Sequence, residues 1–98
     1  MSLPIELDPE ARDEISEAYD YYEAAKADRG DDFLAAVEIV FERIARMPKM
    51  HQIVHESVRR ANVRDFPYSV FYIDETIRIR IVSVFHTSRD PQRWQSRI

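Results

Sequence analysis

The stretch that decides the fold runs from Arg64 to Arg97 and reads RDFPYSVFYIDETIRIRIVSVFHTSRDPQRWQSR. Two runs rich in β-branched and aromatic residues, 68–73 and 77–85, flank the polar segment Asp74–Thr76. This pattern predicts a β-hairpin. The second run ends in a cluster of polar and basic side chains that begins at His86. We therefore expect the hairpin to present a candidate functional site where its second strand ends.

The second run of the hairpin alternates regularly between two kinds of side chain. Because successive side chains of a strand point to opposite faces, one face should carry Ile77, Ile79, Ile81, Ser83 and Phe85. The other face should carry Arg78, Arg80, Val82, Val84 and His86. We expect the isoleucine-rich face to pack on helices and the half-polar face to form an open sheet surface.

Two amphipathic helices are predicted before the hairpin. The pair Asp8–Pro9 should start the first helix, since aspartate is a good N-cap and proline suits the first helical position. Gly30 is the only glycine, and it predicts a left-handed C-cap that ends this helix. Asp31–Asp32 should then cap the second helix, which ends before Pro48. We expect residues 48–57 to be irregular.

The remaining segments complete a small α+β domain. Ile5–Leu7 is predicted to be a first strand, and Val58–Arg64 a later strand whose imperfect alternation favours a bulge or a bent edge. Asp90–Pro91 repeats the helix start, so residues 91–97 should form a short C-terminal helix. The predicted order is β-α-α-β-β-β-α, with a mostly antiparallel sheet covered on one face by a two-helix hairpin.

Composition bounds the class of protein. The 98 residues suit one domain over 1–98, and 45% hydrophobic with 33% charged residues is typical of a globular chain. The absence of cysteine excludes disulfides and thiol chemistry. No apolar run approaches membrane-spanning length, and Met1–Pro4 lacks the pattern of a signal peptide. We therefore expect a cytoplasmic protein with no membrane association.

Charge is distributed unevenly along the chain. The net charge is −4, but residues 1–50 hold 6 basic and 13 acidic side chains, whereas residues 51–98 hold 8 basic and 5 acidic ones. All eight basic residues of the second half are arginines, which suit bidentate recognition of carboxylate or phosphate. Two interpretations are open: an ordinary solvated surface, or a basic working face that meets an acidic partner.

His86 is the centre of the candidate catalytic site. A histidine base with arginines that stabilise a phosphorane is chemistry that can cleave RNA. The neighbouring arginines that could serve are Arg89, Arg93 and either Arg64 or Arg80. The alternative is that His86 caps its strand and that the arginines pair with acidic groups or with the chain terminus.

The sequence predicts no metal ion and no other cofactor. His51 and His55 are four residues apart, but they follow Pro48 in a stretch without helical pattern, so the spacing imposes no shared geometry. The lone Gly30 excludes a glycine-rich phosphate loop.

Two motifs together resemble the RelE/ParE toxin superfamily. The first is R-x-F-P-Y-x-x-x-Y, from Arg64 to Tyr72, and the second is H-x-x-R-x-P-x-x-W, from His86 to Trp94. The resemblance covers residues 5–97 and is strongest to the ParE-like "plasmid stabilisation" branch. It implies the toxin of a type II toxin–antitoxin pair. ParE-type members of the superfamily inhibit DNA gyrase, and RelE-type members cut messenger RNA on the ribosome.

Departures from the RelE pattern favour the ParE type. Ser69 stands where RelE-type nucleases resemble one another in an arginine, Arg93 stands where they have a tyrosine, and the only lysines, Lys26 and Lys49, lie outside the predicted sheet. We therefore expect a toxin that inhibits gyrase by binding and is not an enzyme. One alternative is a ribosome-dependent endoribonuclease that uses His86, Arg89 and Arg64. Another is a non-toxic remnant that still binds its antitoxin.

The resemblance also implies partners. The safest partner is the cognate antitoxin, and gyrase or the ribosome is the implied target. An acidic, amphipathic segment of the antitoxin should bind the arginine-rich face or the groove beside the two helices. The candidate binding residues are Arg78, Arg80, Arg93, Trp94 and Arg97. A homodimer and a toxin–antitoxin hetero-oligomer are both open.

Overall fold

Two long helices separate the first strand from the other four in a computed structural model that describes residues 2–98. The elements in chain order are β1 (Ile5–Leu7), α1 (Pro9–Ala25), α2 (Arg29–Arg46), β2 (Ile53–His55), β3 (Val58–Asn62), β4 (Tyr68–Asp74), β5 (Ile79–His86) and α3 (Gln92–Gln95). Met1 lies outside the described residues, so the expectations about Met1–Pro4 and about a domain over 1–98 include one residue that the structure does not describe. The short strand β2 corrects the prediction that 48–57 is irregular.

The five strands form one sheet in the order β1-β5-β4-β3-β2. β1 runs parallel to β5, and the other three pairs are antiparallel. The α1–α2 hairpin covers one face, which confirms the predicted α+β class. Its core joins Ala11, Phe33 and Ile44 of the helices to Ile79 and other buried strand residues. No helix within residues 2–98 is long and apolar enough to cross a membrane.

The junction between α1 and α2 differs from the prediction. α1 ends at Ala25, and the left-handed residue is Asp28, with φ 69°. Gly30 lies inside α2, so the predictions that it ends α1 and that Asp31–Asp32 cap α2 are wrong. The Glu23 carboxylate supplies the cap instead, since it accepts hydrogen bonds from the amides of Asp28 at 3.1 Å and Gly30 at 2.9 Å.

Gly30 serves the close packing of this junction. A Cβ at this position would lie 2.7 Å from two ring carbons of Tyr19 and 2.9 Å from a carboxylate oxygen of Glu23. The position therefore does require glycine, as its single occurrence in the sequence indicated. The cause is a close approach between helices rather than a positive φ.

A β-bulge breaks the predicted alternation of β5. Phe71 pairs with Ser83, but the next residue Tyr72 pairs with Ile81, so Val82 is the extra residue. Beyond the bulge the faces exchange. Val84 joins the helix-side core, and Phe85 joins a cluster on the opposite face.

The second face of the sheet has a core of its own. Trp94 of α3 packs there with Val58, Phe71 and Phe85, and Ile73 borders this cluster. The rings of Trp94 and Phe71 stack with centroids 4.2 Å apart, and Trp94 is only 1% exposed. The prediction of an open sheet face is therefore wrong over this region, because the C-terminal helix supplies an aromatic cover.

Candidate functional site

A groove of about 410 Å³ lies beside the end of β5, between that strand and α1. We call it the β5 groove. The residues of its lining that matter here are Glu14, Glu17, Tyr21, Tyr68, His86 and Arg89. The bulge in β5 places His86 on the helix side of the sheet, where its ring meets the ring of Tyr68 edge to face with centroids 5.2 Å apart.

The hydrogen bonds of His86 fix its tautomer. Its Nδ1 lies 3.1 Å from the backbone nitrogen of Ser88 and 2.8 Å from the Ser88 hydroxyl. Because a backbone N–H can only donate, Nδ1 must accept, and the proton of the neutral imidazole is on Nε2. In this state the ring can donate a hydrogen bond into the groove, but Nε2 has no lone pair free to act as a general base.

Glu14 closes the edge of β5 beyond the end of β1. Its carboxylate accepts hydrogen bonds from the Ser83 hydroxyl at 2.8 Å and from the Val84 amide at 3.1 Å. Arg97 donates to the same carboxylate at 3.4 Å and to the carbonyl of Val82 at 3.1 Å. These groups occupy strand-edge positions that β1 is too short to reach. Sequence reasoning missed Glu14, because on α1 it is one of several polar-face acids.

Tyr68 is not poised to exchange a proton at neutral pH. It is largely buried between α1 and the sheet, and this burial raises the pKa of its phenol. The groove is therefore lined by the hydrogen-bonded imidazole of His86, three tyrosine side chains, one guanidinium and two carboxylates.

The three candidate catalytic residues do not all meet. His86 and Arg89 both line the β5 groove. Arg64 lies instead in a different groove against α2, together with Arg29 and Arg43. The structure thus brings together two of the three residues that the ribonuclease hypothesis requires.

Two of the candidate binding arginines are already paired within the chain. Arg80 makes a two-point contact with Asp8, with both distances 2.9 Å, and this hydrogen bonding raises the pKa of Arg80. The Asp8 side chain makes no capping hydrogen bond to α1, although Asp8 is its N-cap residue as predicted. Arg78 lies 2.7 Å from Glu75 and 3.0 Å from Glu6. Their charges are therefore largely compensated.

The other three candidate binding residues have different surroundings. Arg93 is exposed and has no ion pair with any carboxylate of the described residues 2–98. Trp94 is buried, so it can support a docking surface only by anchoring α3. Arg97 is held by Glu14 and the Val82 carbonyl. Their roles in binding stay predictions.

His51 and His55 have different neighbours. The Tyr72 hydroxyl lies 2.8 Å from the carbonyl of Pro48 and 3.3 Å from Nδ1 of His51, while the ring of His55 meets Trp94 at 5.7 Å. Burial lowers the pKa of His51 and raises that of Tyr72 to about 12. In the part of the chain that the structure describes, no three His, Asp or Glu side chains are grouped as metal ligands would be.

Comparison with known proteins adds a family and a fold. A family model described as the ParE toxin of the type II toxin–antitoxin system, parDE, matches residues 5–91. A search of curated proteins found no significant match. Twelve chains of solved structures match significantly. One, from a chromosomal ParDE TA system of P. aeruginosa, is 15% identical with a TM-score of 0.66, covering 89% of this chain and 98% of that one. At this identity the likeness shows the fold.

Proposed function

Because this chain belongs to the ParE toxin family of type II toxin–antitoxin systems, we propose that it inhibits DNA gyrase by binding and performs no chemistry of its own. Family membership makes the chain a toxin and implies an antitoxin as its partner. The gyrase target belongs to the proposal and would place its action in the cytoplasm. A role in plasmid stabilisation stays a prediction.

The observation that carries the proposal is the composition of the β5 groove. A nuclease site must accept the negative phosphate backbone, and positive side chains normally supply that attraction. Here Glu14 and Glu17 share the lining with Arg89, and Glu14 faces the edge of the strand that ends in His86. Because Glu14 is paired with Arg97, its charge is compensated, and the Glu17 carboxylate offsets the charge of Arg89. The lining therefore offers little net positive charge to attract phosphate.

The hydrogen bonds of the His86 ring support the same conclusion. Because Nδ1 accepts a hydrogen bond from Ser88, the proton of the neutral ring is on Nε2. Nε2 therefore cannot take a proton from a substrate as a general base must. Arg64 lines the separate groove against α2 and would have to move to take part. Binding to a protein target requires none of these groups to transfer a proton.

One observation favours the endoribonuclease as the second candidate. His86 and Arg89 line the same groove, and in a substrate complex Ser88 could exchange its partner, which would free Nδ1 to carry a proton. This candidate therefore predicts that His86→Ala abolishes toxicity in a folded protein. The proposed binding toxin predicts that the same variant stays toxic.

Induced expression without antitoxin tests both. Growth, cell shape and message integrity are scored for the wild type and for His86→Ala. Filamentous cells with intact messages in both cultures support the gyrase proposal. Messages cut in codon register, and only by the wild type, would support the ribonuclease. Normal growth with folded protein confirmed would contradict both and leave an antitoxin-binding remnant.

A further inference from the structure

A second groove lies between α2 and the turn that joins β3 to β4. Its volume is about 620 Å³, and we call it the arginine groove. The lining residues used below are Arg29, Ala36, Ile39, Arg43, Arg64 and Asp65. It shares no lining residue with the β5 groove, so the two sites are separate.

The charges of the arginine groove are only partly compensated. Arg29 pairs with Asp32 at 3.6 Å. Arg43 and Arg64 are exposed, and neither lies within ion-pairing distance of a carboxylate among residues 2–98. The lining has three arginines against two aspartates, Asp32 and Asp65, which is a local charge of +1 on a chain of net charge −4. The groove therefore attracts an acidic partner.

The α2 side of this groove combines apolar side chains with arginine. Ala36, Ile39 and Arg43 follow at spacings of three and four, which places them on one stripe of the helix. This stripe differs from the core stripe of Phe33, Val37 and others, and Ile39 is 57% exposed. An exposed isoleucine beside a small alanine leaves room for another helix to approach closely.

We propose that the arginine groove is the docking site for an acidic amphipathic helix of the antitoxin. This proposal rests on the toxin–antitoxin assignment above. It assigns the docking role to Arg43 and Arg64 instead of Arg78 and Arg80, because the latter two already have carboxylate partners. Apolar side chains of the docked helix cover Ile39, and its carboxylates pair with Arg43 and Arg64. A docked strand fits less well, because β3 already has β2 and β4 on its two sides.

Affinity for the cognate antitoxin, purified at full length, tests the charges. The double variant Arg43→Glu with Arg64→Glu should bind about 30-fold more weakly or worse, because two attractive pairs become repulsive. The matched control is Arg60→Glu. Arg60 is an exposed arginine of β3 that pairs in register with Phe71 and so points to the other sheet face. It should change the affinity by less than about threefold.

A second pair of variants tests the apolar contact. Ile39→Asp should weaken binding about tenfold or more, since it places a charge in a desolvated contact. Ile77→Asp is its control, because Ile77 is 75% exposed in the β4–β5 turn and far along the chain from the groove. Both isoleucines are exposed, so neither change should unfold the protein, and circular dichroism confirms this.

Unchanged affinity in the groove variants, equal losses in the controls, or no binding of the wild type would each overturn the inference. Gyrase inhibition by the same variants separates it from the proposed function. A groove variant that still inhibits gyrase but escapes the antitoxin supports the docking site. One that loses gyrase inhibition and keeps the antitoxin overturns it, since the groove then serves the target. If the wild type does not inhibit gyrase, the proposed function fails while the affinity comparison still decides the docking site.

Discussion

The core on the second face of the sheet depends on the side chain of Trp94. Trp94→Ala should therefore destabilise the whole domain. Trp94 is 1% exposed, stacks on Phe71 at 4.2 Å and packs with Val58 and Phe85. Truncating a buried aromatic side chain costs about 3–5 kcal/mol. The whole stability of such a domain is about 5–15 kcal/mol. The midpoint of thermal unfolding should therefore fall by about 12–40 °C for a domain of this size.

Trp94→Phe is the informative companion. The indole Nε1 is buried without a hydrogen-bond partner among the described residues 2–98, so phenylalanine removes an unsatisfied donor that costs about 1–3 kcal/mol. It also keeps the aromatic stack on Phe71. The loss should therefore be less than half of that caused by alanine.

Thermal and urea unfolding are the assays for these variants, and far-ultraviolet circular dichroism follows both. Fluorescence is unsuitable because Trp94 is the only tryptophan. Ile77→Ala, at a 75% exposed position, is the surface control and should change the free energy of unfolding by less than about 0.5 kcal/mol. A loss below about 1 kcal/mol in Trp94→Ala would refute the view that α3 closes a second core.

Three further predictions follow from individual contacts. Asp8→Asn should lower the free energy of unfolding by about 1–2 kcal/mol, because it breaks the two-point contact with Arg80. The control Glu6→Gln, at an exposed ion pair with Arg78, should change the free energy of unfolding by less than about 0.5 kcal/mol. Equal effects of the two variants in urea unfolding would contradict this prediction. The pKa of Tyr72 is raised from 10.0 to about 12, so the unfolded chain ionises first and Tyr72 contributes stability that is lost as pH rises through that interval. Tyr72→Phe should remove this part of the alkaline slope, and an unchanged slope in unfolding measured across that range would count against it. Glu14→Gln should speed hydrogen exchange of the Val84 amide and spare that of Val70 inside the sheet; equal protection in both proteins would show that the carboxylate does not hold the β5 edge.

Local sequence patterns predicted those parts of the fold where a residue type has a single structural preference. Pro9 marked the start of a helix, and the isoleucines at 79 and 81 indicated the helix-side core. The single glycine, Gly30, indicated a position that needs glycine. The sequence could not show whether the cause is a positive φ or the close approach of Tyr19. That difference depends on a contact between two helices.

The candidate site was harder to predict than the fold, because it depends on register. One extra residue, Val82, moved Val84 to the helix-side core and His86 to the helix side of the sheet, and short-range alternation contains no signal for it. The pairing of Arg80 with Asp8, 72 positions earlier, is likewise a product of topology. Composition therefore found the arginines but could not show which of them lack carboxylate partners.

The most direct test of the central claim is DNA supercoiling by purified gyrase in the presence of the purified chain. The account predicts inhibition by the wild type, with the same concentration dependence for His86→Ala and Arg89→Ala within about threefold. Two results together would contradict it. Gyrase would supercoil DNA equally well with and without each of the three proteins, and only the wild type would cleave messages on ribosomes.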